Sequence, residues 1–175
     1  MLELLSPAGS MEALRAAVQN GANAVYLGYD RFNARMGAQN FSADELQEAI
    51  VYCHVRGVQV HLTLNTLVSD REMARAAEVI RAAAVFGVDA FIVQDLGMVQ
   101  LCKEIAPSVP VHASTQMSIH SLEGVVAAAE LGCSRVVLSR ELPMEQIRHI
   151  CRRSPVEIAT NRQNRGRESG GSYRF

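Results

Sequence analysis

Clustered cysteines, long apolar runs and an excess of one charge are all lacking from this chain of 175 residues. Its four cysteines are Cys53, Cys102, Cys133 and Cys151, with no CxxC pair and no nearby pair of histidines. That spacing indicates neither a zinc site nor a disulfide framework. Because three of them fall on apolar stripes of predicted helices, we interpret them as reduced packing residues. The net charge of -1 gives the whole chain no attraction to nucleic acid or anionic lipid.

Targeting and membrane segments are also lacking. The N-terminus, MLELLSPAGS, has no basic segment followed by a long apolar one, so no signal peptide is predicted. No apolar run approaches the roughly 20 residues that a membrane helix needs. We therefore expect a cytoplasmic protein without a membrane partner. The length fits one domain with a sizeable core, and 49% hydrophobic residues is a globular composition.

One sequence pattern recurs along the chain: the end of an apolar helix, a glycine, and then a short run rich in Val, Ile and Leu. The glycines are Gly21, Gly57, Gly87 and Gly132, and each lies where a helix needs a left-handed C-terminal residue. The runs that follow are typical of strands buried on both faces. Between them the apolar residues recur with the helical period of 3.6.

Strict alternation of strands and helices predicts βαβ units with right-handed crossovers and a parallel sheet. The predicted strands are 2–5, 24–27, 58–64, 89–93, 110–113, 135–139 and 156–159. The predicted helices are 10–20, 42–56, 70–86, 96–106, 121–131 and 143–153.

Two architectures fit this alternation. A doubly wound sheet would carry a glycine-rich phosphate loop after its first strand, but residues 6–10 read SPAGS, with no GxGxxG or Walker A motif. A (β/α)8 barrel places polar residues at the carboxyl ends of many strands, and the sequence does so. We therefore predict an α/β fold of the TIM-barrel type, incomplete, with about seven βα units.

The predicted barrel portion covers residues 1–159. The composition of the sequence changes abruptly after it. TNRQNRGRESGGSYRF, from Thr160 onward, has four arginines and no apolar periodicity. We interpret residues 160–175 as a disordered basic tail. A shifted or truncated reading frame would produce such a change, and a natural basic tail that binds a partner is the alternative.

Nucleophilic catalysis would need a serine or cysteine within reach of a base. Ser114 and Ser6 are candidate nucleophiles, and the sequence has neither a GxSxG elbow nor an HExxH motif. His61 and His112 lie inside strands and are interpreted as structural histidines. His120, in the loop after the fifth strand, is the best acid–base candidate.

Hydrogen-bonding side chains, both guanidinium groups and amides, also follow the predicted strands. Asn33 and Arg35 after strand two, with Arg140, suit a carboxylate or phosphate. Neutral amides able to read a base or an aromatic acid are supplied by three further residues: Asn65, Gln94 and Gln116.

Asp95 and Glu141 are the carboxylates best placed for proton transfer. Each has an alternative role: Asp95 as a helix N-cap, and Glu141 as the partner of Arg140 in a rim salt bridge. Both alternatives stay open, and no metal-ligating set is predicted.

Several segments at these strand ends carry a resemblance: LLSPAGSMEALRAAVQNGANAVYLG, FNARMGAQNF, HLTLNTL, VDAFIVQDLG, VHASTQMSIH and RVVLSREL. Over residues 2–159 the chain resembles the N-terminal half of the U32 family, often called collagenase-like peptidases. The resemblance implies a barrel-like catalytic domain and two kinds of activity. One is proteolysis; the other is hydroxylation of RNA bases or ubiquinone precursors without molecular oxygen.

The resemblance also implies a cofactor. Complete relatives of the hydroxylating kind carry a 4Fe-4S cluster on cysteines downstream of the seventh strand, and none of the four cysteines here lies at those positions. We therefore expect no cofactor within this chain. The implied partners are RNA, a small aromatic or anionic molecule, or a peptide. Three functions stay open: part of a hydroxylase, a peptidase, or an inactive truncated barrel that joins a homo- or hetero-oligomer.

Overall fold

The computed structural model describes residues 3–29, 32–33, 40–161 and 172–174, in which strands and helices alternate. The strands are β1 (Leu5–Pro7), β2 (Ala24–Gly28), β3 (Gln59–Leu64), β4 (Ala90–Val93), β5 (Val111–Ala113), β6 (Arg135–Leu138), β7 (Glu157–Asn161) and β8 (Ser172–Arg174). The helices are α1 (Met11–Gln19), α2 (Ala43–His54), α3 (Met73–Phe86), α4 (Leu96–Ile105), α5 (Leu122–Glu130) and α6 (Met144–Cys151). Two 3-10 turns, Asp70–Glu72 and Thr115–Met117, lie between them.

The sheet follows chain order from β1 to β8, and β1 to β7 all pair in parallel. The seven parallel strands form a curled half-barrel with alternating helices, which confirms the predicted TIM-barrel-like fold. The first strand lies later than predicted, at 5–7 instead of 2–5. Pairing with β2 decides this boundary, because the parallel register begins at Leu5 opposite Ala24.

The sheet continues beyond residue 159, where the predicted seventh strand ends. β7 continues to Asn161, and β8 pairs with it in the antiparallel direction, with Thr160 opposite Tyr173. Residues 160–161 and 172–174 are therefore strand residues, and a disordered basic tail over 160–175 stays a prediction. The physical reason is that the backbone groups of β7 offer an unpaired edge, and a short polar segment can hydrogen-bond to them without an apolar pattern.

The helix boundaries follow the capping signals in the sequence. Ser42 and Glu45 form the predicted capping box at the start of α2. Hydrogen bonds from the backbone and side chain of Ser42 lower the pKa of Glu45. The signal at Ser69 starts a 3-10 turn that leads into α3. Among the described residues, no helix has the length and apolar character needed to cross a membrane.

The strands present different chemistry on their two faces. Val60, Leu62 and Leu64 of β3 are fully buried and belong to the hydrophobic core, together with Leu46 and Ile50 of α2. The alternate residues of β3 face the inside of the curl, because successive strand residues point to opposite sides.

Three cysteines belong to the same core. Cys53, Cys102 and Cys133 are free and fully buried. Burial raises the pKa of their thiols to about 11, about 12 and about 11 respectively. These groups are protonated at neutral pH, which agrees with their interpretation as reduced packing residues.

Arg135 joins the beginning of the described chain to its last parallel strands. Its Nη1 and Nη2 donate to the two carboxylate oxygens of Glu3 at 2.7 and 2.9 Å. Its Nε and Nη2 donate to Oε2 of Glu157 at 2.9 and 2.7 Å. Burial alone would lower the pKa of Arg135, but the hydrogen bonds to Glu3 and Glu157 raise it. This ion triad ties Glu3, two residues before β1, to β6 and β7 and so holds the curl at its amino-terminal end.

Replacing Arg135 with methionine should destabilise the fold strongly. Two half-buried carboxylates would lose their shared cation, and breaking a buried pair from one side costs about 3 kcal/mol. Urea unfolding followed by circular dichroism would measure the loss. The matched control is Arg15→Met, which breaks the exposed pair with Glu48 and should cost below about 1 kcal/mol. Equal effects of the two substitutions would contradict a special role for the triad.

Candidate functional site

Ser6 lies inside β1, opposite Val25, and every other described candidate residue lies at the carboxyl end of a parallel strand or in the loop that follows it. Parallel pairing in chain order places these strand ends together at one end of the half-barrel, which is called the strand-end face below. After β2 comes Asn33; after β3, Asn65; after β4, Gln94 and Asp95; after β5, Ser114, Gln116 and His120; after β6, Arg140 and Glu141. Arg35 lies outside the described residues.

Asn33 is a buried amide held over the end of β2. It is 3% exposed, and its Nδ2 donates to Oδ1 of Asn40 at 2.7 Å. A Cβ atom at Gly28 would come within 2.5 Å of this amide nitrogen, so only glycine leaves room for it. The preceding Phe32 adopts a φ of 66°, a left-handed conformation that costs a bulky residue energy. Backbone strain at Phe32 thus accompanies the placement of the Asn33 amide.

Sequence reasoning missed Asn40 and Gly28. The segment FNARMGAQNF contains both asparagines, but nothing in their spacing shows that their side chains meet. Only the fold of the loop after β2, which returns Phe41 to hydrogen-bond with the carbonyl of Gly28, brings Asn33 and Asn40 together.

Asp95 uses both carboxylate oxygens to bind backbone. Oδ1 accepts from the amide of Met98 at 3.1 Å and caps α4, while Oδ2 accepts from the amide of Val68 at 3.4 Å. The side chain thus links the loop after β3 to the start of α4. This geometry supports the N-cap alternative, and a role in proton transfer stays a prediction.

Replacing Asp95 with alanine should lower the free energy of unfolding by about 1–2 kcal/mol, because the capping acceptor is lost. Asp95→Asn, the matched control, keeps an oxygen acceptor for Met98 and loses only the longer contact to Val68, so it should cost less than the alanine variant. Denaturant unfolding of both variants checks this. An alanine variant as stable as the wild type would show that the capping bonds contribute nothing.

Ser114 and His120, the candidate nucleophile and base, are each engaged with backbone. Ser114 is 3% exposed, and its Oγ accepts from the amide of Gln116 at 3.2 Å. His120 is exposed, with Nδ1 2.8 Å from the carbonyl oxygen of Ser118. Within the described part of the chain, no hydrogen bond joins Ser114 to a histidine. The pairing that a serine nucleophile needs is therefore not assembled here.

Arg140 and Glu141 lie in the turn after β6, and both are exposed. In the described ranges no ion pair joins them, so the rim salt bridge is not observed. The amide of Ser139 donates to the carbonyl of Ile119 at 2.9 Å. That bond sets the loop after β5 against the end of β6, so His120 and Arg140 lie on adjoining segments.

His61 and His112 are buried inside the curl, below the strand ends. Their rings meet edge to face, with centroids 5.0 Å apart and planes at 83°. Burial, with a smaller effect of the Arg135 cation, lowers the pKa of His61 to about 4. Burial, then His61 and Arg135, lowers the pKa of His112 to about 2. Both rings are neutral at physiological pH.

This histidine pair should make the fold sensitive to acid. In the unfolded chain both rings bind protons below about pH 6.5. The folded protein resists protonation until about pH 4 at His61, so stability falls as pH drops between these values. Two such protons give a slope approaching about 2.7 kcal/mol per pH unit.

Urea unfolding of wild type and of His61→Phe across this pH range measures the effect. The variant should lose about half of the slope, while His149→Phe, at an exposed position on α6, should keep all of it. An unchanged slope in His61→Phe would contradict the assignment.

The described residues do not fit a 4Fe-4S cluster. A cluster needs several cysteine ligands that converge on one point, whereas Cys53, Cys102 and Cys151 lie on three separate helices and Cys133 lies before β6. In the described ranges, no group of three or more His, Cys, Asp or Glu side chains is arranged to hold a metal ion.

The chain matches a known protein family. The model of the family described as "Peptidase family U32" matches residues 9–162. The 23S rRNA 5-hydroxycytidine C2501 synthase of Escherichia coli (strain K12) is 40% identical over 149 residues, 85% of this chain and 22% of that protein.

Two further relatives show the same pattern of partial coverage. The tRNA hydroxylation protein P1 of Bacillus subtilis is 34% identical over 156 residues, 89% of this chain and 37% of the relative. The collagenase of Porphyromonas gingivalis is 37% identical over 149 residues, 85% of this chain and 35% of the relative. The chain thus spans well under half the length of these relatives.

The fold has a close counterpart among solved structures. A U32 peptidase structure aligns with a TM-score of 0.77 and 16% identity, covering 91% of this chain and 68% of the other. At that identity the likeness supports the fold alone.

Proposed function

This chain belongs to peptidase family U32, and we propose that it forms the N-terminal barrel portion of an enzyme that hydroxylates a base of RNA. The observation that carries the proposal is the chemistry of the strand-end face. Neutral amides line it, and its serine and histidine are bound to backbone instead of to each other. Such a face is suited to recognising a molecule and not to attacking a peptide bond.

Amide side chains match the edges of nucleobases. Each amide carries both a donor and an acceptor, as the edge of a base does, so one side chain can make two complementary hydrogen bonds. Asn33 and Asn40 are held together above β2, and Asn65 and Gln94 follow β3 and β4. In this proposal the amides orient the base, which favours hydroxylation at a single ring position.

The exposed Arg140 supplies the complementary contact to the RNA backbone. A guanidinium group binds phosphate through two parallel hydrogen bonds. Arg140 lies at the rim, next to the loop that carries His120. The proposed division of roles is therefore phosphate at the rim and base further in.

A cluster required by this function would have its cysteine ligands outside the described residues. The similar proteins named as hydroxylation enzymes are about three to five times longer than the matched region, since that region spans 22–37% of them. We accordingly propose only recognition and orientation for the residues of this chain.

Deleting the gene from its host should remove 5-hydroxycytidine from ribosomal RNA. Mass spectrometry of nucleosides from separated ribosomal and transfer RNA measures the change. Wild type should restore the modification, and Asn33→Ala should restore much less, because the buried amide is lost. Tyr52→Phe, on α2 away from the strand ends, is the control and should restore it fully. Unchanged hydroxylated nucleosides in the deletion strain would refute the proposal.

A peptidase is the second candidate, favoured by the 37% identity to the collagenase. Cleavage of gelatin by purified protein, abolished in Ser114→Ala and His120→Ala, would support it. We expect no cleavage beyond those variants, because neither side chain has a catalytic partner in place. A protein inactive in both assays would leave the third function, an inactive barrel or a subunit of an oligomer.

A further inference from the structure

Two exposed leucines lie at the strand-end face, one after β3 and one after β4. Leu67 is 72% exposed and Leu96 is 59% exposed. The last residues of the two strands, Leu64 and Val93, lie opposite each other in the parallel register. The chain therefore leaves the sheet at two neighbouring points, and each leucine follows its strand end at the same distance along the sequence. Two large apolar side chains are thus presented next to each other.

The backbone that carries these leucines is held in place by Asp95. Its Oδ2 accepts from the amide of Val68, the residue after Leu67, at 3.4 Å. Its Oδ1 accepts from the amide of Met98, two residues after Leu96, at 3.1 Å. One carboxylate therefore fixes both connections, and the two leucines are held outward by an ordered backbone.

A methionine adds to the same surface. Met73, the first residue of α3, is half-buried, and a Cβ atom at Gly97 would come within 3.8 Å of its Cε. The methionine side chain therefore lies against the start of α4, beside Leu96. Leu67, Met73 and Leu96 are called the apolar rim below.

Single exposed apolar residues are common on protein surfaces, but the apolar rim differs in its position. The remaining exposed large apolar residues of the described chain precede β1 or lie on or beside helices: Leu4, Val51, Val55, Val85 and Val126. Leu67 and Leu96, in contrast, border the face that carries the candidate site residues. The rim is therefore placed where it can contact a molecule bound at that face.

The chemistry around the rim suits the flat face of a nucleobase. Asn65 and Gln94 are the first residues after β3 and β4, so each connection presents an amide and then a leucine. Residues 65–69 and 94–98 contain one charged side chain, Asp95, and its carboxylate is bound to backbone. These segments offer no cation to a phosphate group. They combine hydrogen bonds for a base edge with apolar contact for a base face.

We propose that the apolar rim packs against the nucleobases next to the base to be modified, and that Leu67 and Leu96 keep these bases from stacking on it. Enzymes that act on a base take it out of the stack, which costs free energy. Apolar side chains such as Leu and Met insert between base steps in other proteins and unstack them. The inference deepens the proposed function and rests on it for the choice of RNA.

The size of the rim favours RNA over a protein partner. A stable protein interface buries about 800 Å² on each side and keeps charges out of its centre. Three side chains supply only a small part of that area. In addition, the turn Asp70–Glu72, which follows the loop of Leu67, carries three consecutive charged residues. A wedge between bases needs only one or two apolar side chains.

Base unstacking can be measured directly with the 175-residue chain. The probe is a synthetic RNA hairpin that carries a cytosine with 2-aminopurine as the next base, because stacking quenches the fluorescence of 2-aminopurine. Anisotropy of an end-labelled copy measures binding separately. We expect the wild-type chain to bind the hairpin and to raise the 2-aminopurine fluorescence at saturation. No binding, or a saturated complex without this rise, would overturn the proposal.

Substitutions at the rim separate unstacking from binding. Leu67→Ser and Leu96→Ser should each lose much of the fluorescence rise and weaken binding about tenfold, the effect of losing one apolar contact to a base. Leu67→Met and Leu96→Met keep an apolar side chain of similar volume and should behave as wild type. Both leucines are exposed, so the serine variants should fold normally.

Matched controls come from exposed apolar residues away from the strand-end face. Val55→Ser and Val85→Ser, at positions that are 75% and 80% exposed, should bind and fluoresce as wild type. Arg140→Ala should weaken binding and lower the salt dependence by about one phosphate contact, with an unchanged fluorescence rise at saturation. Leu67→Ser and Leu96→Ser variants that match the wild type in both measurements would assign the rim to a protein partner and overturn the proposal.

The outcome is independent of the gene deletion test. A fluorescence rise that depends on Leu67 and Leu96, with unchanged cellular hydroxycytidine, would keep the RNA contact and refute the hydroxylase. Loss of hydroxycytidine in the deletion strain, without a fluorescence rise for the wild-type chain, would keep the hydroxylase and refute the role of the rim.

Discussion

Parallel pairing of seven consecutive strands in chain order is the constraint on which the rest of this structure depends. It forces each connection to cross back over the sheet, which places the helices outside and every strand's carboxyl end on one face. Polar residues separated by up to about a hundred positions therefore meet without any local signal between them. The amides at the ends of β2, β3 and β4 share a face for this reason alone.

The same curled sheet has an inner face on which charged and polar side chains are buried. Arg135, Glu3 and Glu157 neutralise one another at the amino-terminal end of the curl, and two neutral histidines lie above them. Buried charges are tolerated only when they are paired and hydrogen-bonded, and these are. Within the triad, the pair of Arg135 and Glu3 joins segments that share no backbone pairing among the described strands, because β1 pairs only with β2. Arg135 and Glu157 lie opposite each other on the paired strands β6 and β7.

Much of the fold was predictable because its signals are local. The glycines Gly21, Gly57, Gly87 and Gly132 all adopt positive φ where the sequence predicted helix ends. The capping box at Ser42 begins α2 as predicted. β1 and β8 were not predictable in the same way, because their limits depend on which neighbour supplies hydrogen bonds. A strand of three residues carries too little pattern to reveal its own register.

The sequence by itself determined the alternation of elements, the parallel sheet and the list of polar residues at its carboxyl edge, since these follow from period and position. Only the tertiary structure decided how those residues are used. It committed Asp95 and Ser114 to backbone hydrogen bonds and joined Asn33 to Asn40 over Gly28. It also turned Arg135, an isolated charge in an apolar strand, into the partner of Glu3. A side chain's hydrogen-bond partner depends on distances in space, and local sequence patterns do not carry that information.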